Sequence, residues 1–201
     1  METAKGIVLK TIKHSESDLI VHILKTDGSK ISLFAGGALR SKKRFGGGVL
    51  QPTHYLQFNY QAAKKAGSNL HNLSEAKLIE DFSKLRTDID RLELALYFVK
   101  LVSKMSREEV LDAHGSFNLL GNALKACEKS DELEILRTHF DVKLLAQQGE
   151  IEPFEGFEQF VSLKIADHEK IQVNRDQILK VQHHIGYQIK RFLAERNLEE
   201  M

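Results

Sequence analysis

The chain predicts an α+β fold, a small five-stranded β barrel over residues 1–80 followed by an α-helical domain over residues 81–201. Three observations carry that expectation. Short runs rich in β-branched residues, separated by turn residues, fill the first eighty positions. Near Asp88 the apolar period changes from two to about 3.6. Charge divides in the same region: residues 1–72 hold eleven Lys and Arg against four Asp and Glu, a net of +7, so the remainder of a chain whose total is +1 carries −6. Such asymmetry points to one part facing a polyanion and the other facing solvent or protein.

The elements follow in order. Gly6–Ile12 and Asp18–Lys25 read as strands joined by the polar turn His14–Ser17. Asp27-Gly28 supplies a tight turn into Lys30–Ala35, which alternates polar and apolar residues. After a glycine-rich loop, His54–Tyr60 alternates again, and Asn69–Ile79 forms the fifth strand. Tyr55, Phe58 and Tyr60 read as core, at least in part, rather than as stacking surfaces. From Asp88 to Met105 a helix is expected with Ile89, Leu92, Leu96, Val99 and Val102 on its apolar face. Ser116–Glu128 and Asp131–Gln148 repeat the amphipathic pattern, the latter closing at Gly149 as a C-cap. Phe160–Ala166 and Lys170–Val173 read as a small hairpin, and Asp176–Glu195 as the last helix.

The segment that carries chemistry is Gly36–Gly48, in which Arg40, Lys42, Lys43, Arg44 and Phe45 are bracketed by five glycines. Glycine lets backbone approach a ligand, cations neutralise phosphates, and an aromatic face accepts a base. A charged track with a stacking surface is what sequence-tolerant single-strand binding requires. Lys64 and Lys65, in the turn between the fourth and fifth strands, extend the track, and Lys10 and Lys13 on the first strand add to it. The bland alternative is a solvated connection with Phe45 plugging the barrel.

Enzyme signatures are missing: there is no Gly-x-x-x-x-Gly-Lys-Ser/Thr loop, no Gly-x-Gly-x-x-Gly and no His-Glu-x-x-His. Glu80, Asp81, Asp88 and Asp90 sit where a helix begins, which favours capping over a nuclease metal site. His183 and His184 point about 100° apart on a helix and make a poor chelating pair. Cys127 is the sole cysteine, so intramolecular disulfides and cysteine zinc sites are excluded; it reads as a small core residue. No apolar run is long enough for a membrane span, and the N-terminus lacks a signal-peptide pattern, so a cytoplasmic protein is expected.

At these residues the sequence resembles the RecO family of recombination mediators. The pieces that match are Ala4-Lys-Gly-Ile-Val-Leu-Lys10, Glu16-Ser-Asp-Leu-Ile20, Gly37-Ala-Leu-Arg-Ser-Lys-Lys-Arg-Phe-Gly-Gly47, Leu50-Gln-Pro52, Leu73-Ser-Glu-Ala76 and Phe82-Ser-Lys-Leu-Arg86. The resemblance implies an N-terminal OB-fold, whose loop between the fourth and fifth strands is one of the two that contact oligonucleotides, and a helical domain without catalytic activity. It implies binding and annealing of single-stranded DNA, with duplex DNA left open, in recombinational repair. It also implies loading of a recombinase, a RecR-type partner, and contact with the acidic tail of single-strand-binding protein, for which Lys125, Arg137 and Lys143 are candidates. Many members carry a four-cysteine zinc module, whereas residues 149–174 here contain no cysteine. No structural zinc and no cofactor is therefore expected, His168 being an incomplete substitute, with Phe154, Phe157, Phe160 and Val161 packing in its place. The competing expectations are a basic interaction scaffold that never meets DNA and a metal-dependent nuclease.

Overall fold

The computed structural model describes residues 1–63, 69–106, 115–149 and 151–199, with side chains to Glu195. Five strands form a closed barrel: β1 (Glu2–Lys13), β2 (Leu19–Lys25), β3 (Lys30–Ala35), β4 (Tyr55–Gln61) and β5 (Leu70–Glu80), ordered β1-β2-β3-β5-β4. All neighbours run antiparallel except β3 and β5, which pair parallel, and β1 closes the ring against β4. This is the five-stranded OB-fold arrangement. Closure removes the unpaired edges that an open sheet would expose. Alternate side chains from every strand point inward, among them Val8, Val21, Leu33, Leu56, Phe58 and Leu73. A bulge between Val8 and Lys10 lets the long strand β1 serve both β2 and β4. Phe58 and Tyr60 are core residues; the Tyr60 hydroxyl donates to Glu2 Oε2 at 2.6 Å, and burial with that carboxylate pushes its pKa up to about 12. Tyr55 is half-buried, its ring 5.6 Å from that of Phe117.

Helices follow: α1 (Ile89–Met105), α2 (Gly115–Cys127), α3 (Leu133–Gln148), α4 (Phe157–Ser162) and α5 (Arg175–Glu199). The Asp88 side chain accepts from the backbone N–H of Asp90 and Arg91, capping α1. The apolar face of α1 matches the expected one in part: Val99 and Val102 are buried and Leu92 is half-buried. Leu94, Phe98, Leu101, Val102 and Met105 are buried, while Ile89 and Leu96 are 67% and 40% exposed. The observed stripe turns the large Phe98 ring into the core, where its burial is strongly favourable. By packing, the chain forms two compact units, Met1–Gly121 and Asn122–Met201. The barrel's last strand ends near the expected boundary at residue 80, and the first unit also takes in α1, which lies on β1.

In the second unit α3 packs against α4, α5 and the turn Ile165–Lys170, burying Leu136, Phe140, Leu144 and Phe160. Gly149 closes α3 with φ 73°, its N–H donating to Ala146 and Leu145, as a C-cap glycine does. The hairpin expected over 160–173 is absent from these described residues: Phe157–Ser162 is helical and Ile165–Lys170 forms 3₁₀ turns. The inward residues Phe160, Ile165 and His168 are buried, and Phe154 meets Phe157 and Phe160 edge-on at 5.3 and 5.7 Å. That aromatic packing outweighs the β propensity of so short a stretch. Cys127 is fully buried, as a core residue.

Candidate nucleic-acid interface

The glycine-rich segment is tied down along its length across one end of the barrel. Gly37 N–H donates to Asp18 Oδ1 at 2.7 Å and Leu39 N–H to Ser17 O at 2.9 Å, fixing its start to the β1–β2 turn. Ala76 N–H on β5 donates to Arg44 O at 3.1 Å, and Thr11 Oγ1 on β1 donates to Leu50 O at 2.6 Å. Gly37 and Gly47 adopt φ 67° and 72°, a left-handed backbone that only glycine takes without strain. Asp18 is the residue that inspection of cationic patterns passes over. Its hydrogen bond from Gly37, with those from Ser15 and Ser17, holds its carboxyl below the usual carboxylate range. The serines around it, Ser15-Glu-Ser-Asp18, are the signal that marks such a turn.

The loop leaves a groove of about 530 Å³ whose lining includes Leu39, Arg40, Lys42, Gly47 and Gln51. Lys42 and Lys43 are exposed and form no ion pair among the described residues. Arg40 reaches Glu16 at 3.5 Å, but both side chains are largely in solvent, at 72% and 91% exposure. Such a pair contributes little and leaves the guanidinium available. Arg44 is more constrained: its guanidinium donates to Gly36 O at 2.8 Å and lies 5.1 Å from the centre of the Phe45 ring.

Phe45 does not offer the stacking face that the sequence suggested. It is 4% exposed and belongs to the barrel core. An aromatic at the barrel end gains more by filling the core than by facing water, so the plug reading holds. By strand alternation Lys13 shares the face of Thr11, which lines the groove, whereas Lys10 lies on the opposite face of β1. Lys64 and Lys65 lie outside the described residues. The structure therefore places Arg40 and Lys42 in the groove lining, with exposed Lys43 and Arg44 adjoining them in the loop and Lys13 on the strand face of Thr11.

The acidic residues take structural roles. Asp88 caps α1 and Glu80 Oε1 accepts from Phe82 N–H at 3.3 Å, while at Asp81 it is the backbone carbonyl that accepts from Arg86, at 2.7 Å. Among the described residues no three His, Cys, Asp or Glu side chains converge on a point. His168 does not fit a metal ligand, since Nδ1 donates to Ile165 O at 3.0 Å and Nε2 meets Ser130 Oγ at 2.6 Å. In the second unit Lys125 and Arg137 are exposed. Lys143 is committed, donating to Val161 O at 2.8 Å, and burial draws its pKa down.

The family model described as Recombination protein O N terminal matches residues 1–82, the barrel and the segment that anchors its loop. Curated relatives extend the match into the helices. Residues 1–82 match the N-terminal domain of the RecO family. A protein named DNA repair protein RecO from Syntrophus aciditrophicus is 34% identical over 145 residues, covering 72% of this chain and 54% of the relative. One of the same name from Alkaliphilus metalliredigens is 34% identical over 146 residues, 72% and 57% of the two chains. Another from Halalkalibacterium halodurans is 30% identical over 164 residues, 82% and 61%. The chain thus spans little more than half the length of the RecO relatives it matches. Among the described residues, no helix is long and apolar enough to cross a membrane.

Proposed function

We propose that the barrel is a single-strand DNA-binding module and that the protein works without catalysis, as a recombination mediator in DNA repair. The observation that carries this reading is the groove lined by Arg40 and Lys42, in a loop held to the barrel by backbone hydrogen bonds, with exposed Lys42 and Lys43 that no carboxylate neutralises among the described residues. Phosphates along those cations release counterions, which makes binding tight at low salt and indifferent to sequence. Annealing follows from the same physics. Two strands neutralised on one surface repel each other less, and contacts that spare the base edges leave them free to pair.

In this reading residues 1–80 hold DNA and the helical part, residues 81–201, meets proteins. The partners are a RecR-type mediator and the acidic tail of single-strand-binding protein, with exposed Lys125 and Arg137 as contacts for the tail. The role in this reading is loading a recombinase onto coated single strands, in the cytoplasm at the nucleoid; the relatives' printed name, DNA repair protein, supports its repair part. The test is fluorescence anisotropy with labelled oligo-dT at low and moderate salt, with duplex competitor, together with an annealing assay on complementary strands. Salt-sensitive binding that duplex competes away only weakly, and faster annealing, are expected. No binding to oligo-dT at low salt would instead favour a basic scaffold for acidic proteins.

A further inference from the structure

With Phe45 buried, a stacked base needs another aromatic, and the outward face of the barrel supplies one. Residues paired across strands share a face: Ile12 stands opposite Ile20, and Ile20 opposite Phe34, while Lys10, His22 and Ser32 form the adjacent row. The inward positions between them belong to Val21, Leu33 and Ala35. One end of this outward face is covered, with Ile7 and Leu24 at 1% and 0% exposure and Ile7 Cδ1 near Gly121 of α2. The other end is open: Ile12 is 38% exposed, and Ile20 and Phe34 are only half-buried.

The Phe34 ring is held in place on two sides. His14 meets it edge-on, with centroids 5.8 Å apart and planes at 90°. Gly36 lies against it so closely that an added Cβ would stand 3.2 Å from Cε1. Gly36 also begins the basic loop, and its carbonyl is the one that receives the Arg44 guanidinium. The ring and the cationic track are therefore neighbours. Neither outward row contains an Asp or Glu, and Lys10 stands exposed in the second.

We infer that unpaired bases of a bound single strand stack on Phe34, beside Ile12 and Ile20, while its phosphates run along Lys42, Lys43 and Arg44. This rests on the single-strand reading above. The occupant follows from the chemistry of the surface. Lysines that no carboxylate neutralises among the described residues select a polyanion, and a half-exposed aromatic–aliphatic strip selects one whose base faces are free, which a duplex does not offer. His14 is a positioning residue that fixes the ring edge-on.

The chain contains no tryptophan, so F34W introduces a single indole reporter at the platform. Its emission is expected to be quenched on saturation with oligo-dT, with affinity close to that of the parent. F34L keeps an apolar side chain but removes the aromatic face, and it is expected to weaken oligo-dT binding on the order of tenfold with an unchanged salt slope, because stacking carries no charge. Unquenched F34W emission at saturation, or F34L affinity equal to the parent's, overturns the platform; if F34L does not fold, the F34W emission decides alone. Failure of the parent protein itself to bind oligo-dT would sink the single-strand reading instead, so the two failures are distinguishable.

Discussion

Phe45 and Asp18 show how single side chains set the geometry of the cationic loop. Phe45 follows Arg44 directly, yet it enters the core and so pins the loop to the barrel end. F45A should lower stability by about 3–5 kcal/mol, the usual cost of truncating a buried phenylalanine, and F45L should recover most of it. Urea unfolding reads both; an F45A midpoint equal to the parent's would place the ring outside the core. Asp18 acts from the other side, accepting from Gly37 N–H, Ser15 and Ser17. Its carboxyl is held below the ordinary value of 3.8, chiefly by the Gly37 hydrogen bond. A depressed folded-state pKa means that this stabilisation is present above the unfolded value and is lost as pH falls through the folded one. The difference in urea midpoint between the parent and D18A should therefore be full at neutral pH and shrink below about pH 4. A difference that grows in acid would contradict the anchor.

At the scale of elements, the packing of α3 against α4 buries His139, whose ring sits 6.1 Å from Phe160, edge-on. Neither ring nitrogen has a well-formed hydrogen bond among the described residues. Burial, reinforced by the positive charge of Lys143, pushes its pKa down to about 4 from the ordinary 6.5. The unfolded chain thus takes up a proton that the folded one refuses, and stability falls as pH drops from 6.5 toward 4, by about 3 kcal/mol in all. H139L should flatten that part of the pH profile in thermal or urea unfolding; an unchanged slope would remove His139 as the cause. The same elements show what sequence patterns reach. Apolar and β-branched runs between turn residues located the first two strands and alternation the third and fourth, and Gly149 and Asp88 marked helix ends through local backbone chemistry. The full face of α1 and the fold of residues 157–170 were not legible, because both depend on which distant aromatic is buried, Phe98 in one case and Phe160 in the other.

For the whole molecule, the division of charge was visible in the sequence, and so was the loop that concentrates it. What the sequence hid was direction. Arg40 and Lys42 line one groove with Lys43 and Arg44 next to them in the loop, Lys10 faces elsewhere, and the aromatic nearest the cations in sequence is buried in the barrel core. The central claim is that those four loop cations carry the electrostatic part of single-strand binding. It is tested most directly by the slope of log affinity against log salt for oligo-dT, compared between the parent and the variant R40A/K42A/K43A/R44A. Each phosphate contact on a single strand contributes about 0.7 to that slope, so the variant should bind more weakly with a slope shallower by about 2 to 3. An unchanged affinity and slope in a folded variant would contradict the account.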